Sequence, residues 1–101
     1  MVMEKITIVW TKQARESLKS IYDYYKDKSP KGAKNVKNEL LRSPKTIGFS
    51  RQYQVDEINP KYRRIVIRDF KVLYKEKKGR IEIIDIISSK QSPSELKKRH
   101  S

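Results

Sequence analysis

The chain switches between two hydrophobic periods. In residues 5–10, KITIVW, the side chains of Ile6, Ile8 and Trp10 fall on one side and those of Thr7 and Val9 on the other, which predicts a short strand. From Thr11 the period lengthens. The Thr11 hydroxyl can cap a helix whose apolar side chains fall at Ala14, Leu18, Ile21, Tyr22 and Tyr25. Ser29-Pro30 marks a second start, with an N-cap serine and a proline at the first helical position; Ala33, Val36, Leu40 and Leu41 follow before Ser43-Pro44 ends the run. The short connector predicts an antiparallel helical hairpin. Residues 44–60, PKTIGFSRQYQVDEINP, hold two prolines, a glycine and no sustained period, so a surface loop is expected there.

Alternation returns in three runs, Tyr62–Arg68, Phe70–Lys77 and Arg80–Ser88, with turns at Arg68-Asp69 and Lys78-Gly79. Two-residue turns would set Val66 opposite Lys71 and Lys71 opposite Ile86, so that Arg64, Lys71 and Lys90 share one face. The other face then carries Ile65, Ile67, Phe70, Val72, Tyr74, Ile83 and Ile87, ready to pack on the hairpin. The run IEIIDII fits this register badly, because Asp85 lands on the apolar face while Ile84 and Ile86 join the basic one. A bulge near Ile83-Ile84, or burial of both faces at a central strand, would resolve the conflict. The expected fold is α+β, with order β-α-α-β-β-β, an antiparallel sheet and the hairpin on one face.

Charge changes this picture from a simple sheet to a surface that wants a partner. The 101 residues hold 25 Lys and Arg against 12 Asp and Glu, a formal net charge of +13, and fit one domain spanning residues 1–101. Residues 61–101 carry 13 of the basic and only 5 of the acidic side chains, so the strand-rich part is the more basic. Self-repulsion on this scale points to an anionic partner: nucleic acid, a ribonucleoprotein or an acidic protein. With no cysteine, disulfides and thiolate metal sites are excluded. The opening MVMEKITIVW is too short and too charged for a secretory segment, and no apolar run approaches the ~18 residues of a membrane span, so a cytoplasmic protein without membrane contact is expected. Asp23 and Asp27, one helical turn apart, fit a solvated helix face better than a metal site, and no cofactor is called for.

The order of elements, with WTKQARESLKSIYDYY leading in, YRRIVIRDFKVLYK as the hairpin and IEIIDIISSKQSPSEL as the close, resembles the RelE/ParE superfamily of bacterial toxins. Its most specific parts are FKVLY, similar to an aromatic-Arg-hydrophobic-hydrophobic-Tyr strand, and KQSPSEL, similar to an Arg-Gln-x-Pro-x-x-Leu ending. The resemblance implies the toxin of a type II toxin-antitoxin pair, inactivated by a cognate antitoxin protein. It also implies one of two targets: messenger RNA cut on the ribosome, or DNA gyrase poisoned without nuclease activity. Fold cannot choose between them.

Attack by an RNA 2′-hydroxyl needs a base, an acid and cations around the phosphorane. The only histidine, His100, stands one residue from the end. The resemblance instead places the catalytic role on Lys71 and Lys90, each at a family arginine position, and on a preceding basic position that matches either Arg63 or Arg64. The basic face favours Arg64, Lys71 and Lys90 as catalytic, with Arg63, Arg68 and Lys75 as nucleic-acid contacts. The family's C-terminal tyrosine falls at Leu96, which has no proton to offer, and the lysines lack the planar fork of arginine. Ribosome-dependent mRNA cleavage is the reading favoured by the basic face, with the gyrase poison as alternative and a non-catalytic RNA-binding module as a further one. An open sheet face with exposed Leu73 and Ile84 is expected to receive the antitoxin.

Overall fold

A computed structural model describes residues 6–89. Its elements are β1 (Ile8–Trp10), α1 (Lys12–Lys26), α2 (Pro30–Arg42), a 3₁₀ turn (Ser43–Thr46), β2 (Arg63–Ile67), β3 (Phe70–Lys77) and β4 (Arg80–Ser88). The caps are those the sequence announces. Thr11 accepts a hydrogen bond from the Ala14 amide at 3.2 Å, and Ser29 accepts one from Gly32 at 3.1 Å ahead of Pro30. Thr11 also donates its hydroxyl proton toward the carbonyls of Ile83 and Ile84 at 2.7 and 3.0 Å, so one side chain joins the β1–α1 corner to β4.

The strand order is β1-β4-β3-β2. β2, β3 and β4 are antiparallel as expected, but β1 lies parallel to β4, so the sheet is mixed rather than wholly antiparallel. The connectivity explains this. The helical hairpin returns the chain to the end of β1, where Trp10 and Leu41 line one groove. β2 runs parallel to β1, and its start is therefore at the far end of the sheet. Residues 47–62 carry the chain back along that length, which is why this connection is long.

The main core lies between the sheet and the hairpin. Ala14 and Leu18 of α1 and Val36 and Leu40 of α2 pack on Ile65, Phe70, Val72, Tyr74, Ile81, Ile83 and Ile86. Trp10 packs half-buried at its margin, as an edge-closing ring should. Tyr74 is fully buried, with its hydroxyl donating to the Ser50 carbonyl at 3.0 Å, and burial pushes its phenol above the ordinary value.

The strained register of β4 is resolved by a bulge. Val66 pairs with Lys71 as expected, but Lys71 pairs with Ile87 rather than Ile86, because the register shifts between Leu73↔Asp85 and Tyr74↔Ile83. Ile84 is the extra residue. Ile86 thereby turns into the main core, and Ile87, expected there, turns to the opposite face. Asp85 still points toward α1, where its carboxylate accepts the Ser17 hydroxyl proton and the Ile86 amide. That gives one oxygen of the buried carboxyl hydrogen-bond partners on a largely apolar layer.

Thr11→Val keeps the side-chain shape and removes the cap together with the tie to β4. We expect a loss of about 1–3 kcal/mol in urea unfolding; a change below about 0.5 kcal/mol would show that the corner is held by other contacts.

Candidate functional site

The basic face expected to be open is covered. Residues 54–62 fold under the sheet on the side away from the helices. Leu73 and Ile87 form a second small core there with Ile58, Tyr62 and Ile84. Leu73 is fully buried and Ile84 partly so, which corrects the expectation that both are exposed. The segment also extends the sheet: Val55 bridges to Arg63, and the Arg64 amide donates to the Gln54 carbonyl at 3.0 Å. β4, with apolar neighbours on both faces, therefore carries a run of isoleucines rather than a clean alternation.

Asp56 anchors the segment. Its Oδ2 accepts the amides of Ile58 and Asn59 at 3.1 and 2.8 Å, while its Oδ1 accepts Lys71 Nζ at 3.0 Å. The residue has no exposed surface, and only 14% of the Lys71 side chain is exposed. Burial alone would raise the carboxyl, but the Asn59 amide, the Lys71 ammonium and the Ile58 amide outweigh it and hold the group below its ordinary range.

Arg64 is engaged in the same way. Its Nη1 donates to the Val55 carbonyl at 2.7 Å, its Nη2 to Gln54 Oε1 at 3.4 Å, and Glu57 stands 3.8 Å away. Arg64 and Lys71 do share a face, as their register requires, and both are turned to holding residues 54–59. Arg63 points to the opposite face and donates to the Tyr53 carbonyl at 2.8 Å. The choice between Arg63 and Arg64 as the neighbour of Lys71 therefore falls on Arg64.

Arg68 sits in the β2–β3 turn with φ of 53° and makes a two-pronged bond to Glu39 of α2, at 2.7 and 2.9 Å. Lys75 lies on the Lys71 face, half-buried and opposite Glu82. Lys90 and Leu96 lie outside the described residues. Tyr74, the tyrosine of the FKVLY strand, projects into the helix-side core, on the other face from Lys71. Among the described residues no group of His, Cys, Asp and Glu has the arrangement of a metal site.

Sequence reasoning missed Asp56, Asn59 and Glu57. The signal was in DEINP: an aspartate followed by a turn, in a basic neighbourhood, with Ile58 and Tyr62 four apart on either side of a proline.

Because the Asp56 carboxyl is held below its ordinary value of ~3.9, its contribution to stability is complete above that pH and is lost as acid takes the pH down through the folded-state value. Asp56→Asn should cost about 2–4 kcal/mol at pH 7 in urea unfolding, less than the cost of an orphaned buried charge because Lys71 can reach water. The difference from the parent should shrink between pH 4 and pH 2. A difference that stays constant over that range would show that the carboxylate charge is not what holds the segment.

The comparisons with known proteins agree with this fold. A protein-family model described as the ParE toxin of the type II toxin-antitoxin system parDE matches residues 8–93. No curated protein sequence matches the chain. Ten chains of solved structures do. Among them, the chromosomal ParDE toxin-antitoxin system from P. aeruginosa superposes with a TM-score of 0.72 at 21% identity, covering 82% of this chain and 95% of that one. That similarity is one of fold, whereas the family match runs from the first described strand past the last, and on it the chain belongs to the ParE toxin family of type II toxin-antitoxin systems.

Proposed function

We propose that this protein is the toxin of a type II pair, held inactive by its cognate antitoxin, and that it arrests growth by acting on DNA gyrase rather than by cutting messenger RNA. The observation that carries the choice is the Lys71–Asp56 pair. A transferring phosphoryl group is stabilised by cations aimed at the charge that develops on it. An ammonium 3.0 Å from a buried carboxylate presents little net charge to such a group. Arg64, whose Nη1 is taken by a backbone carbonyl, has fewer donors left for a bidentate grip.

Among the described residues, the tyrosine of the FKVLY strand is not placed for proton transfer beside Lys71 either. Tyr74 is buried on the far face, bonded to the Ser50 carbonyl. Tyr22 and Tyr24 belong to α1, in the helical layer, with Lys37 and Lys28 at 5.1 and 4.3 Å from their ring centres, and not to the sheet face that carries Lys71. A gyrase-directed toxin needs none of this chemistry, because a binding surface is enough to trap an enzyme–DNA intermediate. The family match supports the toxin part of this reading. No described helix is long and apolar enough to cross a membrane.

Induced expression with separate labels for DNA and protein synthesis tests the proposal. DNA synthesis should fall first, with broken chromosomes. Lys71→Gln, checked for folding by circular dichroism, should retain growth inhibition to within about threefold. An acid–base role would instead cost on the order of 100-fold or more. Early loss of translation with cleaved messages, together with an inactive Lys71→Gln, would overturn the gyrase reading in favour of the ribosomal nuclease.

A further inference from the structure

α1 and α2 together carry eight Lys and Arg against three Asp and Glu, and one of those acids, Glu39, is engaged by Arg68 of the β2–β3 turn. The excess has a pattern. Arg15, Lys19 and Tyr22 follow one another along α1 at intervals of four and three residues, which puts them on one stripe with ~5–6 Å between successive Cβ atoms. Lys37 faces that stripe from α2, with its ammonium 5.1 Å from the centre of the Tyr22 ring. Trp10, the last residue of β1, closes the end of the same groove, whose volume of about 430 Å³ lies within the ~300–1,000 Å³ typical of binding clefts.

The lining divides by chemistry. The rings of Trp10 and Tyr22 line the floor half-buried, with Leu18 and Leu41 beside them. Arg15, Lys19 and Lys37 are exposed on the rim, and none of the three forms an ion pair among the described residues. Arg15 gives one guanidinium nitrogen to the Trp10 carbonyl at 2.7 Å, which fixes its charge at that end of the groove, and a guanidinium has further donors for an anion. Aromatic rings flanked by cations at one-turn spacing are what an unpaired nucleotide strand needs, since every base has a π face to stack and every phosphate a charge to meet. A duplex gains nothing from the rings, because its base faces are already stacked on one another. An aliphatic acidic polypeptide would satisfy the rim but has no planar face to set against Trp10 and Tyr22.

We propose that this groove binds single-stranded DNA, with bases stacked on Trp10 and Tyr22 and successive phosphates on Arg15, Lys19 and Lys37. The stacking and charge contacts need only the groove. The choice of DNA over RNA rests on the gyrase reading, in which the trapped intermediate carries cut DNA. The toxin then has a hold on nucleic acid in addition to its hold on the enzyme, and the sheet face that carries Lys71 takes no part in it.

Trp10 is the one tryptophan of the sequence, so the emission of the full chain reports on the groove directly. Titration with an oligothymidylate of about eight nucleotides should quench it saturably. The logarithm of the affinity should fall with the logarithm of the salt concentration at a slope of about −2, as three phosphates on a single strand require. Lys19→Gln/Lys37→Gln should bind on the order of tenfold more weakly, with the slope reduced to about −0.7. Tyr22→Leu, which keeps the floor apolar, should also lose on the order of tenfold, with the slope unchanged. A melting curve checks that each variant is folded. The control Lys77→Gln/Lys78→Gln, an equal charge change at the β3–β4 turn, should alter Kd by less than about threefold. Equal quenching by a polyglutamate peptide, full affinity in Tyr22→Leu, or equal weakening by the two lysine pairs would overturn the nucleotide assignment. Tighter binding of oligouridylate than of oligothymidylate would overturn DNA as the ligand. Absence of any quenching would overturn the groove site altogether, while the gyrase reading would still be judged by the order in which DNA and protein synthesis stop.

Discussion

A single carboxylate under the sheet decides what the basic strands can do. Asp56 gathers two backbone amides and one ammonium, and by doing so it fixes residues 54–62 against β2, β3 and β4. Without that anchor the Leu73 and Ile87 side chains would face water, and Arg64 and Lys71 would stand on an open surface of like charge. With it, the sheet has a core on each side, and Arg64 and Lys71 each face a carboxylate. The long connection that topology demands between α2 and β2 thus supplies the cover that the central strand requires.

β4 shows the same constraint from the other side. A strand with helices on one face and a packed segment on the other has apolar neighbours in both directions, and IEIIDII is the sequence of such a strand. The bulge at Ile84 lets Ile83 and Ile86 both reach the main core although they are three apart. Asp85, placed beside Ser17 of α1 by that irregularity, has its Oδ1 hydrogen-bonded by the Ser17 hydroxyl and the Ile86 amide. Local irregularity and global packing therefore agree in one residue.

Much of the fold was legible because caps and periods act locally. Thr11, Ser29 and Pro30 start their helices where the sequence says they should, and Lys78-Gly79, both with positive φ, closes the hairpin between β3 and β4. The conflict in β4 was legible too, with a bulge or burial of both faces as its two resolutions, and the structure has both. The parallel pairing of β1 was not, since a three-residue strand carries no mark of its partner's direction. The site was legible only in part. Register put Arg64 and Lys71 together, but whether they face water depends on residues 54–62. An irregular segment held by one Asp-centred turn has no period to detect, so a basic surface was read where an ion pair is found.

These features tie Arg64 and Lys71, two cations of a strongly basic sheet face, to residues of the same chain. The central claim, that the Lys71 and Arg64 side chains hold residues of this chain and not phosphate, is open to direct observation. The most direct measurement is to follow the ¹⁵N side-chain resonances of Lys71 and Arg64 while a short RNA oligonucleotide is titrated into the protein at physiological salt. Resonances that stay in place, with Lys71 still showing its coupling to Asp56, are the predicted result. Saturable shifts of both side chains, lost as salt is raised, would contradict it and restore the sheet face as a phosphate-binding surface.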